Sequence, residues 1–230
     1  TEGFRHDSIP DGVAAIQKMG ERRGFVVEQT EDPALFNDAN LKRYKAVVFL
    51  HTTGDVLDPP QEEAFQRYIR KGGGYVGIHA ASDTEYEWPW YGKMVGAYFA
   101  SHPAIQDAKC VIEDPRHPST VGIPKEWPRH DEWYSFRTNP RGGAIRILAV
   151  VDESTYQGGG MGKDHPMTWC HNYDGGRAWY TAMGHTKESW TEPLFLKHVE
   201  GGIWSVAQPK KAMKSEGVWR VPARLALGTD

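Results

Sequence analysis

The chain has 230 residues, a formal net charge of -3 at pH 7 and 25% charged residues. That balance suits one α/β domain with a sizeable core and excludes a basic nucleic-acid binder or a disordered acidic tail. No apolar run approaches the about 18 residues of a membrane-spanning helix, and no charged n-region precedes an apolar h-region, so neither a span nor a signal peptide is expected and the compartment stays open.

In chain order, Ser8 followed by Pro10 predicts a hydroxyl N-cap and a helix carrying Val13, Ile16 and Met19 on one face, closed by Gly20 and Gly24. Residues 25–30 read as a strand and 31–44 as loop with one helical turn. Residues 45–53 form a near-continuous apolar strand, as expected for one buried on both faces of a parallel sheet. Residues 59–71 make an amphipathic helix with Ala64, Phe65, Tyr68 and Ile69 on its apolar side, and three glycines lead into the buried strand YVGIHA at 75–80. A short helix over 90–99 and strands over 108–114, 132–136 and 146–153 follow. Residues 165–173 and 177–185 pair as strands across Asp174-Gly175-Gly176, a tight-turn signal. A closing helix over 192–207 offers Leu194, Leu196, Val199, Ile203 and Trp204 for burial.

This βαβ order with short loops predicts a doubly wound, mainly parallel sheet. The opening TEGFRHDS reads as a segment that follows a strand, so a first strand of about 5–6 residues is expected upstream of Thr1, leaving a central sheet position empty. Residues 1–207 are expected to form a single domain and 208–230, with Lys210, Lys211 and Lys214, an extension or linker. Cys110 and Cys170 fall in strand-like stretches and read as buried thiols, with a disulfide left open.

Open parallel sheets bind ligands beyond the carboxyl ends of their strands. Four such ends each deliver a histidine: His6 with Asp7, His51, His79 with Asp83, and His185. Buried imidazoles need polar partners, so four on one rim point to a site rather than to packing. His102 lies just beyond, and Asp131 and Glu132 pair ahead of an aromatic strand, where they suit general acid–base work. His165 reads as structural. The run GGGMGKD is no phosphate loop, because no Ser or Thr follows its Lys and no helix follows the run, and no dinucleotide fingerprint is present.

The segments GFRHDSIP, GGGYVGIHAASDT, YGKMVGAYFASHP, HDEWYSF, HPMTWCHNYDGGRAWYTAMGH and FLKHVEGGIWSVA together resemble the ThuA-like (trehalose utilisation) family from Gly3 to about Ala207. The resemblance implies a flavodoxin-like fold related to the class I glutamine amidotransferases. In those enzymes the turn matching residues 77–81 carries a nucleophilic cysteine. Here it carries His79, which cannot form a thioester, so glutaminase chemistry is not expected.

The resemblance implies carbohydrate catabolism: cleavage or isomerisation of a disaccharide, a glycoside or its 3-keto form, by a hydrolase, lyase or isomerase. The expected roles are His79 as base or metal ligand, His185 as its partner, and Glu132 or Asp131 as acid. His6, Asp7, His51 and Asp83 are expected to bind sugar hydroxyls or a metal, with Trp88 and Tyr91 as an aromatic wall. A divalent metal such as zinc would take His79, His102 and His185. The expected partner is a small-molecule sugar, with a homo-oligomer and a link to sugar dehydrogenases left open and no nucleic acid or membrane partner. The competing reading is a non-catalytic sugar-binding accessory module of a larger protein.

Overall fold

The computed structural model describes residues 1–208; the lysines at 210, 211 and 214 lie outside them. The chain runs through α1 (Ile9–Arg23), α2 (Asp38–Leu41), β1 (Ala46–Leu50), α3 (Pro59–Arg70), β2 (Gly74–Ile78), α4 (Pro89–Val95) and β3 (Phe99–Ser101). It continues through β4 (Gln106–Ile112), β5 (Glu126–Asp131), β6 (Ser135–Phe136), β7 (Arg146–Asp152), β8 (Pro166–Tyr173), β9 (Gly176–Thr181) and α5 (Pro193–Ala207). Seven strands form one sheet in the order β1-β2-β9-β8-β7-β4-β5, and β3 pairs with β6 apart from it.

The α/β, flavodoxin-like arrangement expected from the sequence is present. β1, β2 and β9 run parallel in register, with Leu50 beside Ile78 and Ile78 beside Thr181. β8 and β4 are the two strands that run against the rest, so five of the seven point the same way. The carboxyl ends of β1, β2 and β9 therefore meet at one edge.

Local chemistry accounts for the elements. α3 opens with a capping box: Asp58 accepts from the Gln61 N–H and Gln61 from the Asp58 N–H, with prolines in the first turn. Its Ala64, Phe65, Tyr68 and Ile69 are buried, as their spacing predicts. α1 begins where expected, but Ser8 makes no side-chain cap bond, and its buried hydroxyl has no partner among the described residues. In α5, Val199 and Ile203 are buried as expected, as are Phe195 and His198, which the spacing did not single out, whereas Trp204 is 42% exposed. Trp127, Trp133, Trp169, Trp179, Tyr75, Tyr91 and Tyr180 fill the core, which is where most of the aromatic excess goes. Both cysteines are free thiols.

Two expected elements differ. Residues 25–30 join no sheet among the described residues, and Val26 is 87% exposed, because among those residues β1 pairs only with β2 and no strand partners 25–30. The strand expected over 132–136 is instead β5 ending at Asp131 and the short β6, because β5 pairs with β4 along its whole length and Glu132 turns out of that ladder.

Candidate active site

Strand ends set three of the four rim histidines. β1 leads into His51 with φ 52° and β2 into His79 with φ 51°, both in the left-handed region that non-glycine residues avoid. Such backbone costs on the order of 1–3 kcal/mol and persists only where its surroundings hold it. For His79 they do: the Tyr180 hydroxyl donates to its carbonyl at 2.7 Å and Tyr134 stacks on its ring at 4.1 Å. β9 reaches His185 through Gly184, whose φ of 109° excludes a side chain that would also strike Phe195. The loop before α1 brings His6.

These four rings meet. His6 lies 5.0 Å from His51, 5.0 Å from His79 and 5.1 Å from His185, centroid to centroid. Glu132 reaches in from the end of β5: one carboxylate oxygen is 3.3 Å from His79 Nε2 and 3.2 Å from His185 Nδ1, and the other is 3.1 Å from His102 Nδ1. His79 Nε2 and His185 Nδ1 are themselves 3.0 Å apart. His79, His6 and Glu132 are buried, while 42% of the His102 side chain is exposed at the mouth.

The protons follow from the partners. A carbonyl only accepts, so His79 Nδ1 donates to Ala182 O at 2.6 Å, and in the neutral ring Nε2 turns its lone pair toward Glu132 and His185. Burial and the charges of His79 and His185 push His6 down to about 3. Burial also drives His51 well below the usual histidine range. Burial opposes charge on both Glu132 and His185, but their mutual hydrogen bond and attraction outweigh it, holding Glu132 low and His185 high. The imidazoles and the Glu132 carboxylate thus converge on one point, which the proton favoured on His185 or a cation in its place would satisfy.

One donor atom each from His6, His79, Glu132 and His185 lies within 4.8 Å of all the others. Among the described residues, His6 Nδ1 and both ring nitrogens of His51 are buried without a hydrogen-bond partner. A ligating histidine normally donates its second ring N–H to a carbonyl or carboxylate, as His79 does to Ala182. Three imidazoles and a carboxylate match the donor preference of zinc. His102 is not among these four residues and meets only the outer oxygen of Glu132.

The remaining expected residues are distributed as follows. Asp131 does not face the rings: it accepts the N–H groups of Gly184 (2.8 Å) and His185 (3.0 Å) and pairs with buried Arg129 at 2.9 Å. It anchors the His185 backbone. Asp7 is exposed, and Asp83 accepts the Tyr86 hydroxyl at 2.5 Å. Trp88 and Tyr91 form no wall at the site; both are buried, and the Tyr91 hydroxyl is spent on Tyr75 and Ala81, because α4 turns that face into the core. His165 is buried and bonded to Glu153 and to Tyr134 O, a structural role as expected. Phe4 packs edge-on to His6, and Tyr134, which the sequence did not mark as a site residue, stands two residues after Glu132 in the same acidic-aromatic stretch.

The family model of trehalose utilisation, ThuA, matches residues 1–205. The chain belongs to the ThuA family. That places it in a family linked to trehalose utilisation, within carbohydrate metabolism. Among solved structures, a ThuA-like protein from Bacteroides uniformis superposes with a TM-score of 0.77 at 24% identity, covering 92% of this chain and 90% of that one. One from Parabacteroides merdae gives 0.69 at 22% identity, covering 88% and 86%. A β-galactosidase from Bacillus circulans shares the fold over 84% of this chain and 26% of its own, at 13% identity and a TM-score of 0.52. No curated protein matches this ThuA chain in sequence. Among the described residues, no helix is long and apolar enough to cross a membrane.

Proposed function

We propose that this ThuA-family protein is a carbohydrate-catabolic enzyme that cleaves or isomerises a glycoside in its 3-keto form, with a divalent metal held by His6, His79, His185 and Glu132. The observation that carries the reading is the convergence of those four donors within 4.8 Å, with His79 Nδ1 tied to Ala182 O. A bound divalent ion supplies Lewis-acid polarisation of a ketone oxygen.

The residues supply the rest. His102 Nδ1 faces two acceptors, Pro103 O at 2.9 Å and Glu132 at 3.1 Å, so its proton sits there and Nε2 is the basic nitrogen. At the exposed mouth, His102 takes the C–H proton next to the ketone, and those electrons form the enolate. As the enolate collapses to the enone, the glycosidic C–O bond breaks, and the His102 imidazolium returns the proton to the departing oxygen. One proton leaves carbon and one reaches oxygen, so no co-reactant is needed. Glu132 is held ionised by its histidines, which turns it from the expected acid into a ligand and an orienting group for His102. A 3-keto substrate requires an oxidation at C3 beforehand, the work of a sugar dehydrogenase.

The test is incubation of the protein, His79→Ala and His102→Gln with trehalose, other disaccharides and their 3-keto forms, with and without chelator, with products read by mass spectrometry. Turnover of keto forms alone, lost in both variants and with chelator, is the expected result. Saturable sugar binding without any turnover would instead support an accessory binding module.

A further inference from the structure

The turn before α1 carries an aromatic ring left mostly in water. Phe4 is 67% exposed, yet its ring meets His6 at a centroid distance of 4.9 Å, with the two planes 85° apart. The other Tyr and Trp rings against the rim histidines are enclosed: Tyr134 beside His79 and Trp190 beside His51 are both buried. A single exposed apolar side chain is common on a protein surface and by itself means nothing. Phe4 differs in where it stands and in how firmly its backbone is held.

The Phe4 carbonyl accepts the Thr53 hydroxyl at 2.8 Å, and the N–H groups of Glu2 and Gly3 donate to Thr53 O at 2.9 and 3.2 Å. A Cβ on Gly3 would come within 2.9 Å of Thr53 Oγ1, and one on Gly54, whose φ is 78°, within 3.0 Å of the Gly3 nitrogen. Both glycines are therefore what lets the two segments lie this close. On the other side of Phe4, Arg5 forms a two-bonded ion pair with Glu31 at 2.6 and 2.9 Å. The backbone is thus set before any ligand arrives, so packing against the ring costs little ordering entropy.

The surroundings suit a carbohydrate. A pyranose ring presents apolar C–H faces edged by hydroxyls, and a site for it pairs an aromatic face with a few fixed polar groups. Phe4 supplies the face, and Asp7, three residues on in the same turn, is an exposed carboxylate that can accept from hydroxyls. Phe4 meets the four-donor cluster at His6, whereas His102 meets it at Glu132. The two exposed side chains therefore serve different parts of a ligand lying over the donors.

We propose that Phe4 is the platform on which the sugar ring facing the four donors packs a C–H face, on the His6 side of the cluster, and so sets the affinity for that ring. The proposal rests on the carbohydrate reading above but needs only its binding half.

The test is a calorimetric titration of trehalose and of its 3-keto form into the protein with zinc present, beside Phe4→Ala, Phe4→Leu and Phe4→Trp. Zinc affinity, Tm and turnover are followed in parallel. Removal of the ring in Phe4→Ala and Phe4→Leu is expected to weaken sugar binding about tenfold, while Phe4→Trp stays within about twofold. Zinc affinity and Tm are expected to be the same in all four proteins. Unaltered sugar affinity in Phe4→Ala, or in Phe4→Leu, overturns the proposal, as does failure of the unaltered protein to bind either sugar. A matching loss of zinc affinity also overturns it, because the ring would then serve only to cover His6. Ring-dependent binding without turnover would sink the catalytic reading and leave Phe4 in its role; turnover with an unchanged KM in Phe4→Ala would do the reverse.

Discussion

Asp131 takes no part in the chemistry proposed above, yet it fixes where that chemistry happens. Its carboxylate receives the backbone of Gly184 and His185 and balances the guanidinium of Arg129, both side chains being essentially sealed from solvent. Removing one partner of a buried pair strands the other and costs about 3–5 kcal/mol. Asp131→Ala is therefore expected to lose stability of that order in urea denaturation and to weaken zinc binding; an unchanged urea midpoint would contradict this anchoring role. The histidine rim itself was legible in the sequence, because the ends of β1, β2 and β9 and the turn before α1 each carried an imidazole. What was not legible was which acid faces them. Asp131 and Glu132 are neighbours, and only the end of the β5 ladder decides that the first points down to Arg129 and the second toward the rings.

At the scale of elements, α5 carries a titration that the site does not use. His198 is buried, donates Nδ1–H to Ser119 O at 2.8 Å, and burial pushes it down to about 3, while His117 nearby is pushed to about 4. Both folded values lie below the ordinary histidine value of 6.5, so the unfolded chain binds these protons first. Stability is then complete above pH 6.5 and falls as the pH drops from there toward the folded values, by about 1.4 kcal/mol per pH unit for each such histidine. Urea midpoints measured from pH 7 to pH 4.5 are expected to fall steeply, and less steeply in His198→Gln. In α3, Asp58→Ala is expected to cost about 1 kcal/mol through the lost cap, and Phe65→Ala about 3–5 kcal/mol through the cavity, read from the same denaturation curves. These helices could be read from spacing and capping residues because their causes are local. Residues 25–30 have strand composition but no strand, because a strand is made by its partner and not by its own side chains.

For the whole molecule, the sheet gathers β1, β2 and β9 in one direction so that their ends, with β5, bring distant parts of the chain to one point. Length, βαβ order and buried apolar runs made that architecture legible. The β8–β9 hairpin was marked by its Asp-Gly turn, but the antiparallel pairing of β7 with β8 and of β4 with β7 and β5 was not, since pairing order across long loops leaves no local mark. A metal binding such a preformed cluster stabilises the fold by mass action, by about 2.7 kcal/mol at a concentration a hundredfold above Kd. For a chain of this size that corresponds to about 5–10 °C in Tm, reversed by chelator. An equal Tm in zinc and in chelator would argue against the cluster as a metal centre.

The most direct measurement is a calorimetric titration of zinc into chelator-stripped protein at neutral pH, beside His79→Ala and Glu132→Gln. The account predicts one tight site per chain, abolished in the first variant and weakened in the second. No tight site, or the same affinity in all three proteins, would contradict it.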